Sequence, residues 1–162
     1  MKTLIIGLGN PILGDDGVGW VVAEELRAAL AQSRLPGSSS EAPEIDCASL
    51  GGLSLMERLT GSERAILVDS IFTGNKPVGT VSQFTLEELP DLSAGHSASA
   101  HDTSLRNALA IGRSMDIRLP ADQDVLIVAI EAEAVYDFSQ ELSPAVAAAV
   151  PLAVQAVLNL ID

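Results

Sequence analysis

The sequence predicts an α/β fold with three layers, α/β/α, in which a mostly parallel sheet of about five strands carries helices on both faces. Two observations support this prediction. Short apolar runs alternate along the chain with segments of helical periodicity, the pattern of parallel strands joined by crossover helices. Several of these runs are apolar throughout, as expected of strands buried on both faces. No repeat or linker divides the 162 residues, so residues 1–162 are expected to form a single domain.

The first half of the chain predicts three strands and two helices. The opening strand is a continuous apolar run that ends at glycine, and the first helix follows a glycine-rich loop. A segment rich in proline, glycine and serine then separates the first helix from the second strand. In order, these elements are a strand at Thr3–Leu8, a helix at 17–32, a loop at 33–43, a strand at 44–50, a helix at 53–59 and a strand at 64–68.

The second half predicts two further strands and two helices. Asp102, Thr103 and Ser104 offer N-cap side chains for the first of these helices. Pro151 interrupts the C-terminal apolar run, so a kink is expected there and no stretch is expected to reach transmembrane length. In order, these elements are a strand at 79–84, a mobile surface loop at 87–100, a helix at 102–115, a strand at 124–130 and a helix from Pro144 to about Ile161.

Charge and cysteine content narrow the possible partners. With 22 acidic and 9 basic residues the net charge is −13, which repels nucleic-acid phosphates and anionic membrane surfaces. Cys47 is the single cysteine, so no intrachain disulfide is possible, and a small apolar role on a strand is favoured for it. The first apolar run is too short for a signal-peptide core. We expect a cytoplasmic monomer that binds neither nucleic acid nor membrane.

Two adjacent acids follow the first predicted strand. Residues 5–19 read IIGLGNPILGDDGVG, which places Asp15 and Asp16 directly before the first helix. One aspartate suffices to cap a helix, whereas a second adjacent acid costs repulsion unless a cation arrives. The glycines provide the positive φ angles needed to carry Asn10 and both acids over the strand ends. Ile12 occupies the third glycine position of a dinucleotide fingerprint, which argues against a nucleotide site.

Other candidate ligands lie further along the chain. Asp69 directly follows the third predicted strand. Because the carboxyl ends of parallel strands meet at one edge of a sheet, Asp69 is expected near the loop that follows the first strand, residues 9–16, which we call the first loop. His96 and His101 are the two histidines, and both lie in the stretch before the 102–115 helix. Two carboxylates and an imidazole with open positions suit nickel or zinc. No G-x-S-x-G elbow surrounds Ser70, so an activated serine is not predicted.

Motifs spread over the whole chain occur in a distinctive order. They are Gly7-Leu-Gly9-Asn10, Asp15-Asp16-Gly17 with Gly19, Gly51-Gly52, Leu67-Val68-Asp69, His101 before a helix, and Leu142-Ser143-Pro144. This arrangement resembles the nickel-iron hydrogenase maturation endopeptidases. The opening IIGLGNP also resembles bacterial peptidyl-tRNA hydrolase, but the catalytic His and Asn of that family do not follow it here. The strong negative charge also disfavours tRNA.

The resemblance to the maturation endopeptidases implies a hydrolase that acts on a peptide bond. Such an enzyme removes the C-terminal extension of a hydrogenase large-subunit precursor after nickel insertion. By motif position, the resemblance implies that Asp16, Asp69 and His101 recognise the nickel carried by the precursor. Asp16 and Asp69 are the catalytic candidates, and the attacking water is expected to be activated either by Asp16 or by polarisation on the metal. Zinc or cadmium is expected to substitute for nickel in the isolated protein.

Several points are left open by the sequence. Asn10, Asp15, Gly51 and Gly52 are expected to support the loops or bind substrate. His96 competes with His101 for the role of nitrogen ligand. The segment 131–138 is less similar to the family and is expected to affect partner specificity rather than chemistry. A non-catalytic nickel chaperone or sensor with the same ligands is the alternative function.

Overall fold

The computed structural model describes residues 1–33, 41–89, 100–133 and 137–162, with side chains omitted for 100–104. Five strands and four helices are assigned within these ranges. Most of the predicted 87–100 loop lies outside them. The assigned elements are β1 (Thr3–Leu8), α1 (Val18–Ser33), β2 (Glu44–Ala48), α2 (Gly52–Leu59), β3 (Arg64–Ile71), β4 (Val81–Thr85), α3 (Ala100–Ser114), β5 (Val125–Glu131) and α4 (Pro144–Ile161).

The strands form one sheet in the order β2-β1-β3-β5-β4. Neighbouring strands from β2 to β5 are parallel, and β4 pairs antiparallel with β5 at the edge. Helices α1 and α4 contact each other on one face, and α2 and α3 contact each other on the other. The predicted three-layer α/β/α fold with a mostly parallel sheet is therefore confirmed.

The core consists of two aliphatic clusters, one on each face of the sheet. Successive strand residues point to opposite faces, so each strand contributes to both clusters. Burying both faces removes the apolar strand surfaces from water and explains why β1, β3 and β5 read as continuous apolar runs. Representative members are Ile5, Val22, Ile66, Val128 and Val150 on the α1/α4 face, and Ile6, Leu55, Leu67, Leu109 and Ile127 on the α2/α3 face.

Several elements differ from the sequence prediction near the carboxyl ends of the strands, and β2, for example, ends at Ala48 rather than at residue 50. β3 continues to Ile71, because its parallel pairing with β5 extends through Asp69, which therefore lies inside the strand rather than after it. Asp15 and Asp16 lie in a 3₁₀ turn, Gly14–Gly17, that leads into α1. α3 already begins at Ala100, so residues 102–104 lie within the helix and do not cap it.

Helix α4 is the most apolar helix assigned. By length and composition alone it could cross a membrane, with a mean hydropathy of 1.8 over its 18 residues. Six of its 18 residues are buried in the core on the α1/α4 face, where the helix packs against α1 and β5. The helix continues through Pro151, which has no N–H to donate to the carbonyl one turn earlier. The kink at Pro151 stays a prediction.

An ion pair between Asp46 and Arg58 joins β2 to α2. The hydrogen bond from Arg58 lowers the pKa of the Asp46 carboxyl below its ordinary value. A carboxyl with a lowered folded-state pKa adds stability above its unfolded-state pKa and loses that contribution as the pH falls through the folded-state value. More than a third of each side chain is exposed, so solvent screening limits the effect to about 1 kcal/mol or less.

Asp46→Asn is therefore expected to lower the free energy of unfolding slightly at neutral pH. The difference from the unaltered protein should shrink below about pH 4, where carboxyl groups of unfolded chains take up protons, and should vanish once the pH is below the folded-state pKa of Asp46. Urea denaturation at several pH values measures this difference. A loss of equal size at every pH would contradict the ion-pair explanation.

Candidate functional site

Close backbone contacts place the first loop over the ends of β1 and β3. A side chain on Gly19 would put its Cβ 2.4 Å from the carbonyl oxygens of both Leu8 and Val68. A Cβ on Gly7 would lie 2.1 Å from the Gly19 carbonyl oxygen. Glycine at these two positions therefore lets the start of α1 approach the two strands.

Asp16 faces β3 across this contact. Its Oδ2 accepts a hydrogen bond of 2.8 Å from the backbone N–H of Asn10. Its Oδ1 lies 3.5 Å from the hydroxyl of Ser70, which donates to it. Asn10 thus supports the loop from within, while Ser70 connects the loop to the neighbouring strand.

Asp69 lies beside the same serine. Its side chain is only 2% exposed, and its Oδ1 accepts a hydrogen bond of 2.9 Å from the backbone N–H of Ser70. Ser70 therefore bonds to both carboxylates, through its hydroxyl to Asp16 and through its N–H to Asp69. Asp16 and Asp69, which are distant in sequence, thus contact the same residue near the end of β3, and their common role in one site stays a prediction.

The acids lie at the point where the strand order reverses. The chain moves from β1 to its neighbour β2 on one side, and β3 lies on the other side of β1. In open α/β sheets this position leaves a crevice beyond the carboxyl ends of the strands, and ligands bind there. The pair Asp16 and Asp69 therefore occupies the expected ligand-binding position of this architecture.

Asp15 has a different environment from its neighbour Asp16. Its two oxygens accept hydrogen bonds from the N–H and the hydroxyl of Ser143, at 2.7 and 2.8 Å. Ser143 is the N-cap residue of α4, so Asp15 ties the first loop to the start of that helix. Backbone hydrogen bonds between Ile12 or Gly14 and Ser139 strengthen this connection. Asp15 therefore supports the loop that carries Asp16.

The loop after β2 packs against the first loop. The hydroxyl of Ser49 donates to the Gly9 carbonyl oxygen at 2.6 Å, and the Gly9 N–H donates to the Ala48 carbonyl oxygen at 3.1 Å. Gly51 occupies the N-cap position of α2 with extended backbone, and Gly52 has a φ of 53°. Both glycines therefore lie at the sharp turn into α2. Their role in supporting this loop stays a prediction.

The two histidines are described only in part. His101 lies in the first turn of α3, but its side chain is outside the described part of the structure. His96 lies outside the described residues altogether. Among the side chains that are described, no group of three His, Cys, Asp or Glu residues could hold a metal ion. The choice between the histidines therefore stays a prediction.

A buried carboxylate that the sequence reasoning did not assign to the site lies at the end of β5. Glu131 is 2% exposed and accepts hydrogen bonds from both the N–H and the hydroxyl of Thr73. Ser70 and Ser143 are likewise contacts that sequence reasoning did not identify. Each of these residues lies beside a strand end or a helix cap, but the sequence gives no sign of the partner.

Cys47 lies on β2, as predicted. Burial is the largest cause of a raised pKa of its thiol, and the nearby Glu24 carboxylate acts in the same direction. A raised pKa disfavours the thiolate, which is the nucleophilic form. The environment of Cys47 therefore disfavours the nucleophilic form of its thiol.

Fold and site together define a doubly wound α/β protein with a carboxylate pair at its strand-order reversal. A family model described as hydrogenase maturation protease matches residues 44–160. The chain belongs to the hydrogenase maturation protease family. The matched segment includes Asp69 and His101 and excludes the first loop.

One curated relative extends the similarity to the first loop, because its match covers nearly the whole chain. A hydrogenase expression/formation protein of Thiocapsa roseopersicina is 23% identical over 158 residues, which are 98% of this chain and 66% of that protein. A putative hydrogenase maturation protease of Methanocaldococcus jannaschii is 32% identical over 103 residues, which are 63% of this chain and 61% of that protein. The matches thus span just under two thirds of the lengths of these curated relatives.

A solved structure supports the same assignment. The NiFe hydrogenase maturation protease of Thermococcus kodakarensis is 26% identical to this chain and superposes with a TM-score of 0.74. The comparison covers 100% of both chains. The element order from β1 to α4 is therefore that of a maturation protease over the full length.

Proposed function

We propose that this chain is a cytoplasmic endopeptidase, active as a monomer, that removes the C-terminal extension of a nickel-iron hydrogenase large-subunit precursor. Family membership supports the reaction class and the kind of substrate. The observation that supports it at the level of the site is the position of Ser70, which bonds to both Asp16 and Asp69 where the strand order reverses. A carboxylate from the loop before α1 and a carboxylate from β3 thus both contact the same serine.

The proposal includes recognition of nickel that arrives as part of the substrate. Asp16 and Asp69 supply oxygen ligands, and His101 in the first turn of α3 supplies an imidazole. These ligand types suit a divalent transition metal. Because the protein provides only part of a coordination shell, the precursor has to provide the remaining ligands. Nickel then acts as a marker that insertion is complete, and zinc or cadmium substitutes for it in the isolated protein.

Docking on the nickel places the scissile peptide at the carboxyl edge, beside the two aspartates. Positioning of this kind lowers the barrier because the reacting groups no longer have to find each other in solution. A carboxylate within hydrogen-bond reach of a water accepts its proton while the water oxygen attacks the peptide carbonyl carbon. The proton then passes to the departing amine as the C–N bond breaks. Asp16 is the candidate base, and Ser70 orients it.

Cleavage of nickel-loaded precursor, with no cleavage of nickel-free precursor, is the expected result that tests this function. The shortened large subunit is measured by mass spectrometry in the presence of a chelator that removes free metal. Equal cleavage of both precursors would contradict nickel recognition. Nickel binding without any cleavage would instead favour a non-catalytic chaperone or sensor.

Alanine variants of the two histidines are compared in the same precursor-cleavage assay. We expect His101→Ala to abolish cleavage and His96→Ala to leave it almost unchanged. His101 lies in a helical turn, which fixes its backbone and reduces the entropy lost when the ring binds a metal. The reverse result, with His96 required and His101 dispensable, would show that the nitrogen ligand is assigned to the wrong residue.

A further inference from the structure

Glu131 is a buried acid that the proposed mechanism does not use. A carboxylate taken out of water loses its hydration and requires strong compensating hydrogen bonds. Both of its oxygens have a described donor on one residue, since Thr73 donates its backbone N–H to Oε2 at 2.9 Å and its hydroxyl to Oε1. Hydrogen bonds to a charged acceptor are among the strong ones, so this pair fixes Thr73 firmly.

The pair holds the chain at the point where it leaves β3. The Ile71 carbonyl accepts a hydrogen bond of 2.9 Å from the Ala132 N–H, and Thr73 is held by Glu131. Phe72 lies between these two anchored residues. Its backbone is therefore fixed on both sides, although its side chain is 47% exposed.

Phe72 lies close to the proposed reaction centre. It follows Ser70 by two residues, one position past the end of β3, so their Cα atoms are at most about 7 Å apart. Phe72 also lines a cleft of about 340 Å³ together with Pro77, Val78 and Glu131. A half-exposed aromatic side chain on an anchored backbone, beside a cleft, offers a large contact area at a small entropic cost.

We propose that Glu131 is a positioning residue that, through Thr73, holds Phe72 as a wall of the substrate-binding cleft. Phe72 contacts an apolar part of the precursor peptide next to the scissile bond, and Glu131 acts only through Thr73. The inference rests on the proposed function, because it assigns part of the same cleft to substrate binding. It concerns binding of the peptide rather than the chemical step, which Asp16 and Asp69 carry out.

The test measures kcat and KM for precursor processing. Glu131→Gln removes the charge and one acceptor, and Thr73→Val removes the hydroxyl donor at nearly constant shape. Each is expected to raise KM by about tenfold while kcat changes little, as expected when uniform binding energy is lost. Thr73→Ser keeps both donors and should behave like the unaltered protein. Glu57→Gln is the charge-matched control, since Glu57 is exposed on α2 and does not line this cleft.

Combined variants separate positioning from a general loss of stability. Phe72→Ala should raise KM to a similar extent, and Glu131→Gln added to it should raise KM no further, because the side chain that Glu131 positions is already absent. Independent, multiplying effects would overturn the inference. So would an unchanged KM in Glu131→Gln, even if thermal unfolding showed a lower Tm. No cleavage by the unaltered protein would overturn the proposed function and this inference with it.

Discussion

Asp69→Asn is expected to reduce precursor processing by about a hundredfold or more, the scale at which a positioned acid–base group contributes. The carboxylate is buried at the carboxyl edge and bonded through Ser70 to the network that includes Asp16. Asparagine keeps the shape and an oxygen acceptor for the Ser70 N–H, but it has no negative charge with which to bind a metal ion or accept a proton. Activity should therefore fall far more than stability.

Asp16→Asn should behave similarly, and the double variant should be little slower than either single one, because residues that act as a unit show strongly non-additive effects. Asp124→Asn is the control for a lost charge, since Asp124 is an exposed acid directly before β5, at the opposite end of that strand from the carboxyl edge. It should process the precursor normally. Normal processing by Asp69→Asn, with the control equally active, would remove Asp69 from the mechanism.

Much of the fold could be predicted because the decisive signals are local. Apolar runs and helical spacing identify β1, α1, β5 and α4 to within one or two residues. The error at the end of β3 has a physical cause. Aspartate has a low strand propensity, yet the pairing of Asp69 with Ala129 of β5 keeps it in the sheet. Strand pairing is a tertiary interaction, and it overrides local propensity.

The candidate site, too, could be predicted from the sequence only in part. The convergence of Asp16 and Asp69 follows from parallel topology, because loops after neighbouring strands share one edge. The partners of these acids do not follow from it. Asp15 and Ser143 are 128 positions apart, and Glu131 and Thr73 are 58 apart. No periodicity links such residues, so hydrogen bonds between distant loops became visible only in the folded structure.

Asp15 and Asp16 show how much of the site could be predicted from residue types alone. Residue types alone allowed one of them a capping role and assigned the other to a cation without deciding between them, and only the family resemblance selected Asp16. The structure separates them by environment. Asp15 bonds to Ser143 at the start of α4, whereas Asp16 points toward Ser70 and the β1–β3 crevice. The role of Asp16 in catalysis remains part of the proposed function.

Gly9→Ala is expected to cause the largest loss of stability, about 3 to 5 kcal/mol in the free energy of unfolding. Gly9 has a φ of 127°, which residues with a side chain rarely adopt. A Cβ at this position would also lie 1.8 Å from the Asp16 carbonyl oxygen. The loop therefore has to move to relieve the clash, and any protein that still folds should process precursor poorly because Asp16 is displaced.

Gly61→Ala separates backbone strain from this steric conflict. Gly61 also has a positive φ, 82°, but a Cβ there would meet nothing within 4 Å. It should cost only the strain of a left-handed backbone, about 1 to 2 kcal/mol, and leave processing intact. Urea denaturation of both variants measures the difference. If Gly9→Ala proved no more destabilising than Gly61→Ala, the close approach of Gly9 to the Asp16 backbone could not be what holds the Asp16 carboxylate in place.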